Sequence, residues 1–113
     1  LIAKVVKNFT MPQPLDTSSQ WFVYIIENRL GHWYTGVTLD VSRRFAEHAS
    51  GNKKAAKALK GKGPLTLISV AQCPDKTSAY QLEYWIKQQS KAQKRMYVEG
   101  QHTAPFVYQL DQT

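Results

Sequence analysis

The stretch from Trp21 to His48, WFVYIIENRLGHWYTGVTLDVSRRFAEH, constrains the fold more than any other part of the chain. Trp21 to Ile26 is dense in aromatic and β-branched residues, Glu27 to Gly31 carries turn formers, and Trp33 to Thr38 is a second strand-like run. A strand, a glycine-containing turn and a strand make a hairpin. Side chains alternate along a strand, so Phe22, Tyr24 and Ile26 share one face while Trp21, Val23 and Ile25 share the other. Both faces are apolar, which places this strand inside a covered sheet. The hairpin also brings Tyr24 and Tyr34, ten positions apart, toward each other. Two such tyrosines, taken alone, read as core residues with tethered hydroxyls. Gly36 adds a constraint, because a glycine inside a β-branched run marks a bulge or a place where backbone or ligand comes close.

Asp40 is a good N-cap, so the hairpin hands directly into a helix in which Val41, Phe45 and Ala49 form the expected inward stripe. Arg44 and His48 border that stripe. Arg43 and Glu47, at i and i+4, form an ordinary solvated ion pair worth a few tenths of a kcal/mol. An arginine and a histidine at the edge of a core beside two phenols suit a site that binds phosphate and moves protons, with a purely structural Arg/His pair as the competing reading. Beyond this helix, Gly51 to Pro64 reads as an alanine-lysine turn of helix bounded by glycines, and Leu65 to Ala71 as a third strand. Between Arg43 and Lys62 seven basic residues (Arg43, Arg44, Lys53, Lys54, Lys57, Lys60, Lys62) stand against the single acid Glu47. Lysine runs are commonly solvated loops, but beside a candidate phosphate site these five lysines suit the backbone of a nucleic acid, which they would position without reading its sequence. A helix from about Ser78 to Ser90 follows, with Ala79, Leu82 and Ile86 inward and Glu83 within or beside the stripe. A carboxylate there is costly unless it is paired with a Lys or Arg or coordinates a cation. Lys91 to Val98 suits a further short basic helix.

The totals agree with one small domain. A chain of 113 residues, 42% hydrophobic, supports a single modest core. Lys and Arg outnumber Asp and Glu by 15 to 8, which predicts attraction to polyanions, nucleic acid first and an anionic membrane second. The single cysteine, Cys73, cannot form an internal disulfide and no Cys/His spacing suggests zinc, so a reducing cytoplasm is the expected compartment. No apolar run approaches the roughly 20 residues that span a bilayer. Residues 1–20, with Met11-Pro12-Gln13-Pro14 and a Ser/Thr cluster, read as a flexible leader, in which Met11 is the expected natural start and residues 1–10 an upstream or expression-derived extension. Residues 100–113, with Pro105, read as a tail that packs Phe106 and Tyr108 on the core.

Val23-Tyr24-Ile25, then Tyr34-Thr35-Gly36, then a helix with Arg44 and His48 and a later helix with Glu83, resembles the GIY-YIG nuclease superfamily over about Trp21 to Glu99. The nearest likeness is to small stand-alone bacterial members related to the nuclease domains of excision repair and branched-DNA resolution. Val23 stands where the family has its first glycine, Thr35 where it has isoleucine, and Val37 where some members have a lysine. The resemblance implies an α+β fold with a small antiparallel three-stranded sheet flanked by helices. It implies metal-dependent cleavage of phosphodiester bonds in DNA, ahead of RNA, with a partner protein as a source of specificity. In that scheme Glu83 holds one Mg²⁺ or Mn²⁺, which keeps much of its hydration. Arg44 binds the phosphate, one of Tyr24 and Tyr34 acts on the attacking water, and the other tyrosine with His48 orients or relays the proton. Glu83 is then expected across one basic groove from Arg44 and the tyrosines. The rival class is a nucleic-acid-binding or adaptor module of the same fold with weak or lost catalysis, and a third is a structural or membrane-surface protein.

Overall fold

The computed structural model describes residues 20–111, so the expected leader lies, apart from Gln20, outside the described residues. The elements in chain order are β1 (Trp21–Glu27), β2 (Trp33–Thr38), α1 (Val41–Ser50), β3 (Thr66–Cys73), α2 (Lys76–Gln88), α3 (Lys91–Val98) and β4 (Gln109–Leu110). The sheet is antiparallel with strand order β2-β1-β3-β4. β1 is interior and covered on both faces, as its two apolar faces require. On one face Val23 and Ile25 join Ala71 and Cys73 under Ala79, Leu82 and Ile86 of α2 and Tyr97 and Val98 of α3. On the other, Tyr24, Ile26, Val70 and Leu59 form a second cluster against Phe22, Tyr34, Val41 and Phe45. The helices are therefore segregated, α1 on one side and α2 with α3 on the other.

Four strands replace the expected three. Gln109 and Leu110 pair with Gln72 and Ala71, and Ala104, Tyr108 and Leu110 are buried in the first cluster with Phe106 packed against it. The Tyr108 hydroxyl accepts the Ala104 N–H at 3.0 Å, which folds the segment back on itself. A strand of two residues is too short for alternation to reveal. Three further boundaries differ from expectation. In α1 the buried position is His48, 1% exposed, while Ala49 is exposed. Seven residues return a helix to within about 20° of the starting face, so His48 and not Ala49 shares the Val41 stripe. α2 starts at Lys76, since Asp75 caps it by accepting the Ser78 N–H at 2.7 Å. The lysine-rich connector forms turns in place of a helix, and its single i to i+4 bond runs from Lys60 N to Ala56 O at 2.9 Å. Ala55 and Leu59 are buried, and Leu59 with Ala56 pins it to the α1 side of the sheet.

Because Leu110 has no exposure at all, Leu110→Ala is expected to cost about 2–5 kcal/mol. Urea unfolding checks this, and an unchanged midpoint would mean that the C-terminal segment is not part of the core.

Candidate active site

The hairpin register sets the site. Tyr24 is paired directly with Gly36 across β1 and β2, so its ring lies over bare backbone. A Cβ at Gly36 would sit 2.5 Å from Tyr24 Cζ and 3.0 Å from Cε2, well inside contact distance. Close approach is thus what the glycine is for. The Tyr34 ring lies 6.2 Å from that of Tyr24, and α1 brings His48 to 5.9 Å from Tyr24 and 5.4 Å, edge-on, from Tyr34. Tyr24 is 2% exposed, whereas Tyr34 is only partly buried.

The hydrogen bonds assign the His48 tautomer. The Ala56 backbone N–H donates to His48 Nδ1 at 3.2 Å, and a backbone N–H can only donate. In the neutral ring the proton is therefore on Nε2, which donates to the Tyr24 hydroxyl oxygen at 2.9 Å. Tyr24 accepts from His48 and keeps its own proton free for another partner. Burial pushes the His48 pKa below its ordinary 6.5, and the nearby Arg44 pushes the same way while Glu47 opposes. Burial likewise raises Tyr24 to about 12, Tyr34 adds to the rise, and Arg44 acts against it. At neutral pH the pair is an uncharged imidazole donating to an uncharged phenol.

Arg44 joins this group from the preceding turn of α1. Its Nη1 donates to Glu47 Oε1 at 2.9 Å and to the Lys54 carbonyl at 2.8 Å. Glu47 also takes Arg43 Nη1 at 3.0 Å, so the expected Arg43 pair is present but shared. The hydrogen bond from Arg44 is the main reason the Glu47 carboxyl is held below the usual range. From the sequence, Glu47 is expected to pair with Arg43 alone, at i+4, whereas the carboxylate bridges both arginines. The connector closes over the group through the Ala56 and Lys54 backbone. Its far end is tied to the hairpin turn, where Arg29 N donates to Lys62 O at 2.9 Å and Arg29 Nη1 to Gly61 O at 2.8 Å. Asn28, buried, organises that turn by accepting Leu30 N and His32 N and donating to Ala58 O at 3.4 Å. Lys53, Lys54, Lys57 and Lys60 are exposed and Lys62 is partly so, giving a basic rim on the α1 side.

Tyr24, Tyr34, Arg44, His48 and Gly36 are thus brought together, while Glu83 comes from a different layer of the fold. It belongs to α2, whose buried residues pack beneath the opposite side of the sheet. Glu83 and Trp85 fall on opposite flanks of the α2 stripe, and Trp85 stacks on Tyr97 and His102. That leaves Glu83 on the flank away from α3. Its carboxylate, 18% exposed, pairs with Lys87 at 3.3 Å. Among the described residues no group of three or more His, Cys, Asp or Glu could hold a metal ion. A lone carboxylate released from a lysine fits a largely hydrated Mg²⁺ or Mn²⁺ and does not fit zinc.

A tyrosine seated over a glycine in an antiparallel hairpin, handed straight into a helix bearing arginine and histidine, defines an α+β domain of the nuclease type. Comparison with known proteins agrees: a model of the GIY-YIG catalytic domain matches residues 20–96. The chain belongs to the GIY-YIG family. A UPF0213 protein of Photorhabdus laumondii is 46% identical over 80 residues, covering 71% of this chain and 75% of the relative. One of Pectobacterium carotovorum is 50% identical over 82 residues, covering 73% and 81%. The solution NMR structure of a UPF0213 protein from Bacillus halodurans is 43% identical, covers 70% of this chain and 82% of that one, and superposes with a TM-score of 0.47. Small UPF0213 relatives are in keeping with the stand-alone bacterial members that the motif spacing resembles.

Two outcomes follow from this geometry. Gly36→Ala should displace the Tyr24 ring and cost about 1–3 kcal/mol of stability, measurable by urea unfolding with loss of the His48–Tyr24 contact in NMR. His48 binds fewer protons folded than unfolded, so its contribution is present above pH 6.5 and lost as pH falls through its depressed folded value. His48→Gln, which retains a donor but does not titrate, should flatten the acid side of the stability–pH curve relative to wild type. Parallel curves would contradict the depressed value.

Proposed function

We propose that this protein is a divalent-metal-dependent endonuclease acting on DNA phosphodiester bonds, with weak or structure-directed specificity. The observation that carries it is the convergence of Tyr24, Tyr34, Arg44 and His48 on one face around Gly36. A binding module has no evident use for a buried phenol–imidazole pair with an arginine at its edge. Glu83 would hold the metal, which would supply charge stabilisation at the scissile phosphate. Arg44 leaves Glu47 to take phosphate oxygens through its planar fork and offsets developing charge. His48 fixes the Tyr24 hydroxyl by donating to it, an orienting role, because its other nitrogen is already occupied by the Ala56 N–H. Tyr24, raised to about 12, stays protonated and can donate. Tyr34, the more exposed phenol, is then the one to meet the attacking water. The connector lysines take the flanking backbone, in a reducing cytoplasmic setting and with a partner protein as the source of specificity.

One observation favours the adaptor reading instead: Glu83 is engaged with Lys87 on a helix across the sheet from Arg44. A nicking assay with Mg²⁺ or Mn²⁺ on plasmid, single-stranded and branched DNA separates the two. Arg44→Ala and Glu83→Ala should each lower the rate at least a hundredfold, and Tyr34→Phe more than Tyr24→Phe. Equal behaviour of wild type and every variant would sink the enzyme reading while leaving binding open.

A further inference from the structure

The outward face of α2 carries two tyrosines that the proposed chemistry does not use. At one helical turn per step it carries Lys76, Tyr80 and Tyr84, with Lys87 continuing the stripe. Tyr80 is 47% exposed and Tyr84 68%, on a protein whose other large rings are mostly covered. Tyr80 rests against Trp21 with ring centroids 6.3 Å apart, and Lys76 Nζ stands 5.7 Å from the Trp21 ring and 5.9 Å from that of Tyr80. Beside them runs an open groove of about 540 Å³ lined by Lys76, Thr77, Tyr80, Gln81, Tyr84 and Phe106. The lining holds a cation, aromatic rings, an amide and a hydroxyl, and no carboxylate.

We propose that this face is a second nucleic-acid site that binds an unpaired strand, its bases stacked on Tyr80 and Tyr84 and a phosphate on Lys76. The inference rests on the nucleic-acid reading above and adds the substrate class: a single-stranded segment lying on the opposite side of the sheet from Arg44. Charge selects the occupant: on a chain of net charge +7 the groove is lined by rings and a cation, and the nearby Glu83 carboxylate is paired with Lys87. Rings one helical turn apart, both well exposed, make a stacking platform that tolerates any base. Lys76 is held by rings and not by a carboxylate, so a phosphate need break no ion pair to reach it. The two basic surfaces would then differ in kind: the connector holds backbone, and the α2 face holds bases.

Anisotropy titrations of the full chain in EDTA, with a labelled oligothymidylate and an abasic strand of equal length, test this. Wild type should prefer the oligothymidylate by roughly tenfold or more. Tyr80→Ala and Tyr84→Ala should each lose most of that preference while binding the abasic strand as wild type does, and Tyr84→Phe should retain it. A Lys57→Gln/Lys60→Gln variant should weaken both strands alike and reduce the salt dependence. If the connector variant behaves so but the alanine variants match wild type, the α2 site is overturned and the nucleic-acid reading stands. If neither strand binds wild type, both fall. An acidic, proline-containing peptide that quenches Trp21 fluorescence where oligothymidylate does not would overturn the site in favour of a protein partner.

Discussion

The seating of the Tyr24 ring on the backbone of Gly36 is the contact on which the α1 side of this molecule depends. It exists only in the observed β1–β2 register, where the two are direct partners. A slip of one residue would turn Tyr24 and Ile26 to the other face and put Val23 and Ile25 under α1. With the ring lowered onto the sheet, its hydroxyl reaches the depth at which α1 presents His48, and the 2.9 Å bond between them ties helix to hairpin. The remaining imidazole nitrogen then recruits the connector through Ala56. Sheet, helix and connector thus meet in one chain of contacts that begins with the absence of a Cβ.

The connector shows how a segment without regular structure is held in place. Leu59 and Ala56 anchor it in the core, Arg44 and His48 bind its backbone from α1, and Asn28 and Arg29 bind it from the hairpin turn. The polar contacts use the connector's backbone carbonyls or N–H groups, the apolar ones its alanine and leucine side chains, and both leave the lysine side chains outside. The position of the positive rim is therefore set by groups that carry none of its charge.

Much of this was legible in the sequence, and the exceptions have physical causes. The alternation of apolar residues in β1 announced an interior strand with two covered faces, and the two clusters divide as the alternation requires. The tyrosine pair, Gly36 and the capped helix were legible because each depends on spacing over a short range. His48 was expected at the border of the helix stripe and lies inside it, since a polar side chain that is fully satisfied by Ala56 and Tyr24 can be buried at little cost. β4 was not legible, because its two residues gain their role from β3, some forty positions earlier. Nor was the side of the sheet that α2 would take. Periodicity gives the inward stripe of a helix, and Glu83 does flank it, but the crossing that carries the chain from β3 to one face or the other is a tertiary choice.

Within the candidate site the neutral and charged halves are built differently. Tyr24 and His48 are locked in the core by a hydrogen bond, and burial raises the phenol's pKa and lowers the imidazole's, which favours the uncharged form of each. Arg44 and Glu83, by contrast, are held in partly exposed helical pairs, with Glu47 at i+3 and Lys87 at i+4. Partly exposed pairs of this kind add little to stability. A phosphodiester anion or a hydrated divalent cation can compete for such a pair, and Arg44 can turn from Glu47 while its bond to the Lys54 carbonyl still holds the connector. The pairs hold long side chains loosely and leave them exchangeable. Rigidity resides in the uncharged groups, whose geometry must not change, and freedom in the charged ones, whose partners must.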